Sequence, residues 1–113
     1  MPFINVKTNK TVSADNAEQL KAQLGQAITA IPGKTEAWLM VCIEDDKKLY
    51  FKGDSAPAAM VEVSILGSAS SAALTDMTAR VTESLTATLG IPADRVYVSY
   101  SSTGDWGWNG SNF

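Results

Sequence analysis

Met60-Val61-Glu62-Val63-Ser64-Ile65-Leu66 alternates apolar and polar side chains as far as Gly67, which is the two-residue period of a strand with one face buried. A serine-rich link, Ser68 to Ser71, follows. Leu74, Met77, Val81, Leu85 and Leu89 then recur on one stripe and predict a helix that stops at Gly90, as a C-cap glycine would stop it. After the connection Ile91-Pro92-Ala93-Asp94, the run Arg95-Val96-Tyr97-Val98-Ser99-Tyr100 reads as the last long strand, giving one β-α-β unit.

The first half carries the same pattern. Phe3-Ile4-Asn5-Val6-Lys7-Thr8 alternates as a strand, and a turn is expected at Asn9-Lys10. Asp15 with Glu18 fits a capping box, and Ala17, Leu20, Leu24, Ala27, Ile28 and Ile31 predict a helix from about Asp15 to Ala30 that stops at Pro32-Gly33. Trp38-Leu39-Met40-Val41-Cys42-Ile43 is continuously apolar and reads as a strand covered on both faces. Glu44 to Lys48 is a solvated turn, and Leu49-Tyr50-Phe51-Lys52 reads as a short strand. A single shift of 57 residues, the distance from Gly33 to Gly90, pairs Ile4 with Val61, Val6 with Val63, Leu20 with Met77, Leu24 with Val81, Ile28 with Leu85 and Val41 with Val98. That points to a duplicated β-α-β unit.

Composition narrows the chemistry. A chain of 113 residues is expected to form one domain, residues 1–113. A net charge of −3 with nine scattered Lys and Arg residues offers no stripe for nucleic acid or anionic membrane. Histidine is absent, which removes Ser-His-Asp and Cys-His catalysis and His-ligated metal. The one cysteine, Cys42, lies in an apolar run and reads as a small buried hydrophobe. Asn5 and Lys7 interrupt the first apolar stretch, so no signal core is expected there and no run approaches membrane-spanning length. The location expected is cytoplasmic, with any secretion by a route that needs no signal peptide.

The start Met1-Pro2-Phe3-Ile4 carries the most unusual group. With Met1 removed, Pro2 presents a secondary amine on a ring that fixes φ near −65°. An α-amino group titrates at about 7.7–8, and apolar burial or a neighbouring cation lowers that value. The result is a poised, oriented general base. Strands within a β-α-β unit are parallel, so Pro2 and the Gly33-Lys34 loop share one end of the sheet. If the second unit runs antiparallel to the first, Leu66-Gly67 arrives there too. An amine, a cation and backbone donors suit proton abstraction next to a carbonyl. Lys34 past a helix end also complements the helix dipole, worth on the order of a few tenths of a kcal/mol. At the other terminus, Asn109-Gly110 favours a tight hairpin, and Trp106, Trp108 and Phe113 cluster at a chain end with little left to bury them, a sign of an interface or pocket rim.

Met-Pro-Phe-Ile at the start, Gly33-Lys34, Pro92-Ala93-Asp94-Arg95-Val96-Tyr97 and Gly107-Trp108-Asn109-Gly110-Ser111-Asn112-Phe113 together resemble the macrophage migration inhibitory factor (MIF) family of the tautomerase superfamily. The resemblance implies an α+β fold in which two β-α-β units form a mixed four-stranded sheet backed by two antiparallel helices, with short extra strands, assembled as a homotrimer. It implies keto–enol tautomerisation of phenylpyruvate-like 2-oxo acids without metal or cofactor. Pro2 would be the base, Lys34 the carboxylate ligand and Leu66 the backbone donor, with Tyr97 and Ser99 reaching in from a neighbouring subunit. Phe3, Trp38, Trp106, Trp108 and Phe113 would form the rim. Ser99 stands where animal members carry asparagine, and Trp38 where many carry tyrosine. Ala58 and Val61 stand where some members have a Cys-x-x-Cys pair, so thiol oxidoreductase activity is not expected. The resemblance also implies a rival role, a cytokine-like ligand for a cell-surface receptor. A third option, an amino-terminal-proline enzyme for other unsaturated acids, would need arginine near the base, whereas Arg80 and Arg95 belong to the second helix and last strand.

Overall fold

The computed structural model describes residues Met1–Phe113. Its elements in chain order are β1 (Pro2–Thr8), α1 (Ala14–Ala27), β2 (Met40–Glu44), β3 (Ala59–Leu66), α2 (Ser71–Leu89), β4 (Val96–Thr103) and a terminal hairpin of β5 (Gly107–Trp108) and β6 (Ser111–Asn112). The α+β architecture is the expected one, a four-stranded sheet in the order β2-β1-β3-β4. β1 runs parallel to β2, β3 runs parallel to β4, and the two units join through an antiparallel β1–β3 pair.

The hydrogen-bond register carries the duplication further than the apolar pattern did. Phe3↔Met40, Ile4↔Val41, Asn5↔Cys42, Val6↔Ile43 and Lys7↔Glu44, shifted by 57, become Met60↔Tyr97, Val61↔Val98, Glu62↔Ser99, Val63↔Tyr100 and Ser64↔Ser101, and every one is an observed pair. The central pair Asn5↔Glu62 maps onto itself, so it lies on the local two-fold between the units.

Alternation decides the faces. Pro2, Ile4, Val6 and Thr8 of β1 and Ala59, Val61, Val63 and Ile65 of β3 are buried beneath the helices. Leu20, Leu24, Ala27 and Ile28 on the first helical stripe and Met77, Val81, Leu85 and Leu89 on the second complete one apolar cluster with them. Thr8, the one fully buried hydroxyl, donates its Oγ1 hydrogen bond to the Ala58 carbonyl at 2.8 Å.

Four local expectations are corrected. The cap of α1 is Ser13, whose Oγ accepts from the Asn16 amide at 3.1 Å, so the cap precedes the Asp15–Glu18 pair by two residues. Trp38 closes a short 3-10 turn, Glu36–Trp38, and the strand begins at Met40. β2 is an edge strand covered on one face: Met40 is 68% exposed, and Cys42 is exposed, not buried. Leu49 to Lys52 is no strand; it contributes only an isolated bridge between Phe51 and Asp54, because Lys52 and Gly53 turn back sharply with positive φ.

The end of α2 gives a direct stability test. Gly90 caps the helix in the left-handed region at φ 69°, its amide donating to Thr86 O. Gly90→Ala should destabilise the fold by about 1–2 kcal/mol in chemical denaturation, the cost of a Cβ in that region. Gly104→Ala, at a position with open space around it and no positive φ, should stay within about 0.5 kcal/mol of the parent.

Candidate active site

Each segment expected at the Pro2 corner reaches it for a local reason. Ile31-Pro32-Gly33-Lys34 is a β-turn closed by the Lys34 amide on Ile31 O at 3.1 Å, with Gly33 at φ 82°, the backbone of a type II turn. Pro32 sets the first central φ and Gly33 supplies the second without a Cβ penalty. The turn aims Lys34 across the sheet end, where its Nζ donates to Leu66 O at 2.7 Å. The antiparallel β1–β3 register sets Pro2 opposite Ile65, next to the same peptide. Three of the expected site residues, Pro2, Lys34 and Leu66, therefore meet.

The electrostatics of this corner favour an uncharged amine. The α-amino group, here on Met1, is held below its ordinary value of 8.0, first by partial burial, then by the positive charge of Lys34 and its hydrogen bond. The ammonium of Lys34 spends one of its three donors on Leu66 O and lies beside the terminal amine.

One feature of the corner escaped the sequence reading. The Leu66 amide, expected as a free donor, is occupied: it donates to the Met1 carbonyl at 3.0 Å. Pro2 itself is buried. Met1 thus blocks the ring nitrogen, which is an amide while Met1 is attached, and the Leu66 donor together. Gly67 offers no spare donor, since its amide bonds to Thr103 O at 2.9 Å.

The aromatic residues divide into two groups. Trp38 meets Trp108 edge-on with centroids 5.2 Å apart, and Trp108 stacks on Phe113 at 6.2 Å. All three are more than half open to solvent or on the verge of it, at 50%, 52% and 63% exposure. The hairpin that carries the last two turns at Asn109-Gly110, both with positive φ as expected, and is tied back by the Phe113 amide on Trp106 O. Because β4 ends beside Leu66 and Trp38 lies just before the strand that pairs with Phe3, the tail crosses the Pro2 end of the sheet. Phe3 lies half-buried on the sheet face turned away from the helices, between Met40 and Ser64.

Tyr97 and Ser99 are not brought to Pro2 within one chain. Tyr97 pairs with Met60, which pairs with Lys7, five residues along β1 from Pro2 and about 16 Å away at strand rise. Ser99 is level with Asn5. Both are exposed and face away from the helices. Tyr97 instead packs on Phe51, a partner that no spacing in the sequence marks out.

Comparison with known proteins agrees with the fold and gives the family. The macrophage migration inhibitory factor (MIF) family profile matches residues 1–113. A macrophage migration inhibitory factor homolog of Trichuris trichiura is 30% identical over 115 residues, covering all of both chains, and the macrophage migration inhibitory factor of Rattus norvegicus is 30% identical over all of this chain and 99% of its own. The crystal structure of Leishmania major MIF2 superposes with a TM-score of 0.94 at 35% identity, covering 100% of this chain and 97% of that one. With the whole length matched in profile, sequence and fold, the chain belongs to the macrophage migration inhibitory factor family.

Proposed function

We propose that this chain, acting as one domain over residues 1–113, is a keto–enol tautomerase of small aromatic 2-oxo acids of the phenylpyruvate type. Pro2 is the general base once Met1 has been removed. The observation that carries the reading is the meeting of the chain start, the Lys34 ammonium and the Leu66 peptide in one corner. Excision of Met1 does two things there: it turns the Pro2 nitrogen from an amide into a ring amine, and it frees the Leu66 N–H that the Met1 carbonyl holds.

In the resulting mechanism Lys34 binds the substrate carboxylate. The Pro2 amine takes the proton α to the carbonyl, the electron pair moves to the carbonyl oxygen to give the enolate, and the Leu66 N–H stands in reach of a substrate oxygen. Returning the proton to oxygen completes the enol, and the reverse sequence gives the ketone. The formal oxidation of the α-carbon and reduction of the carbonyl carbon cancel within the substrate, so no external oxidant or reductant is needed. Trp38, Trp108 and Phe113 supply the apolar wall for the substrate ring, with Phe3 and Trp106 beside it. Tyr97 and Ser99 act from a neighbouring copy in a homotrimer; Ser99 reaches less far than an asparagine would, so its hold on substrate is weaker.

No helix is long and apolar enough to cross a membrane, and the site is proposed to work in the cytoplasm or after export without a signal peptide. The exposed aromatic tail also favours a second reading, a ligand for a cell-surface receptor. Receptor binding that persists in Pro2→Gly would support that role independently of catalysis.

Two kinetic outcomes test the enzyme. Phenylpyruvate tautomerisation by protein whose terminus is shown to be Pro2 by mass spectrometry should exceed that of Pro2→Gly, and of protein retaining Met1, by about 10²–10⁴-fold, the usual worth of a positioned general base. Equal rates would remove the enzyme reading. Lys34→Ala should raise KM and also raise the amine pKa, because the cation that depresses it is gone. The base must be unprotonated, so kcat/KM rises with pH through that pKa, and the acid limb of the profile should move to higher pH in the variant.

A further inference from the structure

The 57-residue repeat gives the sheet a second corner, equivalent to the first but built differently. The shift takes Pro2 to Ala59, Trp38 to Arg95 and Met40 to Tyr97. At the first corner the chain begins; at the second it passes through as the loop from Leu49 to Ala58. Arg95 holds that loop with a side chain only 12% exposed. Its Nε donates to Pro57 O at 2.9 Å and its Nη2 to Ala56 O at 3.0 Å, with longer contacts to Phe51 O and Asp54 O at 3.4 Å and an ion pair to Asp54 at 2.8 Å. Asn9 grips the loop from the other side, its Nδ2 donating to Leu49 O, Ser55 O and Ala56 O and its Oδ1 accepting from the Ala58 amide.

This clamp ends in a ring. The guanidinium carbon of Arg95 lies 5.2 Å from the centroid of Phe51, and Phe51 meets Tyr97 edge-to-face with centroids 4.9 Å apart at 79°. Tyr97 is 61% exposed, and, unlike the Tyr100 hydroxyl, which bonds Thr78 and Leu74 O, its own hydroxyl takes part in no side-chain hydrogen bond. An open tyrosine is free to change rotamer on its strand. This one is braced, through Phe51, against an arginine that five backbone and side-chain acceptors immobilise.

We infer that Arg95 and Phe51 are positioning residues for Tyr97, fixing its ring so that the unspent hydroxyl is presented to the Pro2 site of a neighbouring copy. The inference rests on the proposed tautomerase reading, in which Tyr97 touches substrate. Phe51 packs on Tyr97, and Arg95 packs on Phe51 and holds the loop. If the clamp were merely a loop staple, loosening it would lower thermal stability and leave substrate binding alone.

A double-mutant cycle on the protein with a Pro2 terminus separates these cases, with phenylpyruvate as substrate. Tyr97→Phe should raise KM about tenfold, the worth of one hydrogen bond to a charged group, with kcat nearly unchanged. Phe51→Leu should raise KM several-fold when Tyr97 is present and add nothing when Tyr97→Phe is already in place, since the brace then holds no hydroxyl. Arg95→Lys keeps the charge but loses the planar fork and should behave like Phe51→Leu; if it does not fold, Phe51→Leu, which leaves the clamp intact, decides alone. Equal factors for Phe51→Leu in both backgrounds, an unchanged KM in Phe51→Leu, or a Tyr97→Phe protein that matches its parent would each overturn the inference while leaving the tautomerase reading standing. An inactive parent, or one that Pro2→Gly matches, would overturn both.

Discussion

The antiparallel pairing of β1 with β3 is the constraint from which the rest follows. Two β-α-β units could lie side by side with all strands parallel, and the start of one strand would then sit beside the start of the next. Reversing the second unit about Asn5↔Glu62 instead brings the end of β3 to the beginning of β1. The chain terminus thereby acquires a peptide, Leu66, whose carbonyl anchors a lysine and whose amide lies beside the terminal residue. Slipping this register by one residue would turn Ile4 and Val6 away from the helices and put Asn5 and Lys7 into the core, so the buried face and the site geometry are specified by the same hydrogen bonds. The axis itself is polar. Asn5 keeps a buried Oδ1 without a partner, beside the Lys7–Glu62 ion pair at 3.0 Å.

The duplication explains why the molecule has two equivalent corners, and the ends of the chain explain why they differ. Ala59 occupies the place of Pro2, but it is reached by a loop, so no amine can exist there. The fold uses Arg95 and Asn9 to satisfy the carbonyls of that loop. The first corner has no such staple: its cation, Lys34, takes the single carbonyl of Leu66. The same backbone plan thus yields one corner stapled by side chains and one that holds the chain terminus beside a lysine.

Much of this was legible before any coordinates. The period of Met60 to Leu66, the matched glycines Gly33 and Gly90 and the 57-residue shift sufficed to predict the strand–helix–strand repeat, and the parallel rule brought Lys34 to Pro2. What stayed hidden depends on contacts between distant segments. A continuous apolar run cannot say which of its faces another layer covers, so Met40 and Cys42 read as interior although they face outward on an edge strand. Ser13 and Asp15 are both good caps, and the choice between them is made by where the helix axis must start, not by residue type. That the Met1 carbonyl holds the Leu66 amide follows from a register that alternation constrains only to within two residues. Phe51 looked like strand because aromatic neighbours favour strands; its actual task, bracing Tyr97, needs Arg95 from 44 positions further on.

The proposed pairing of a ring amine with Lys34 resolves a conflict inherent in base catalysis at neutral pH. A base that is free before substrate arrives needs a low pKa, yet a base strong enough to remove a carbon-bound proton needs a high one. Burial first and the positive charge of Lys34 second depress the amine in the empty site, as they do for the terminal amine here. When a substrate carboxylate binds that ammonium, the two charges largely cancel at the distance of the amine, and the part of the depression that Lys34 causes is lifted while the part due to burial stays. In the proposed mechanism the cation thus biases the waiting amine toward its uncharged form, and the amine grows more basic once the carboxylate is seated. Only a ligand bearing an anion at the right distance produces the change, so the same lysine that selects the substrate also sets when the base becomes strong. A neutral ketone of equal size would fit the aromatic wall and still meet a weakened base.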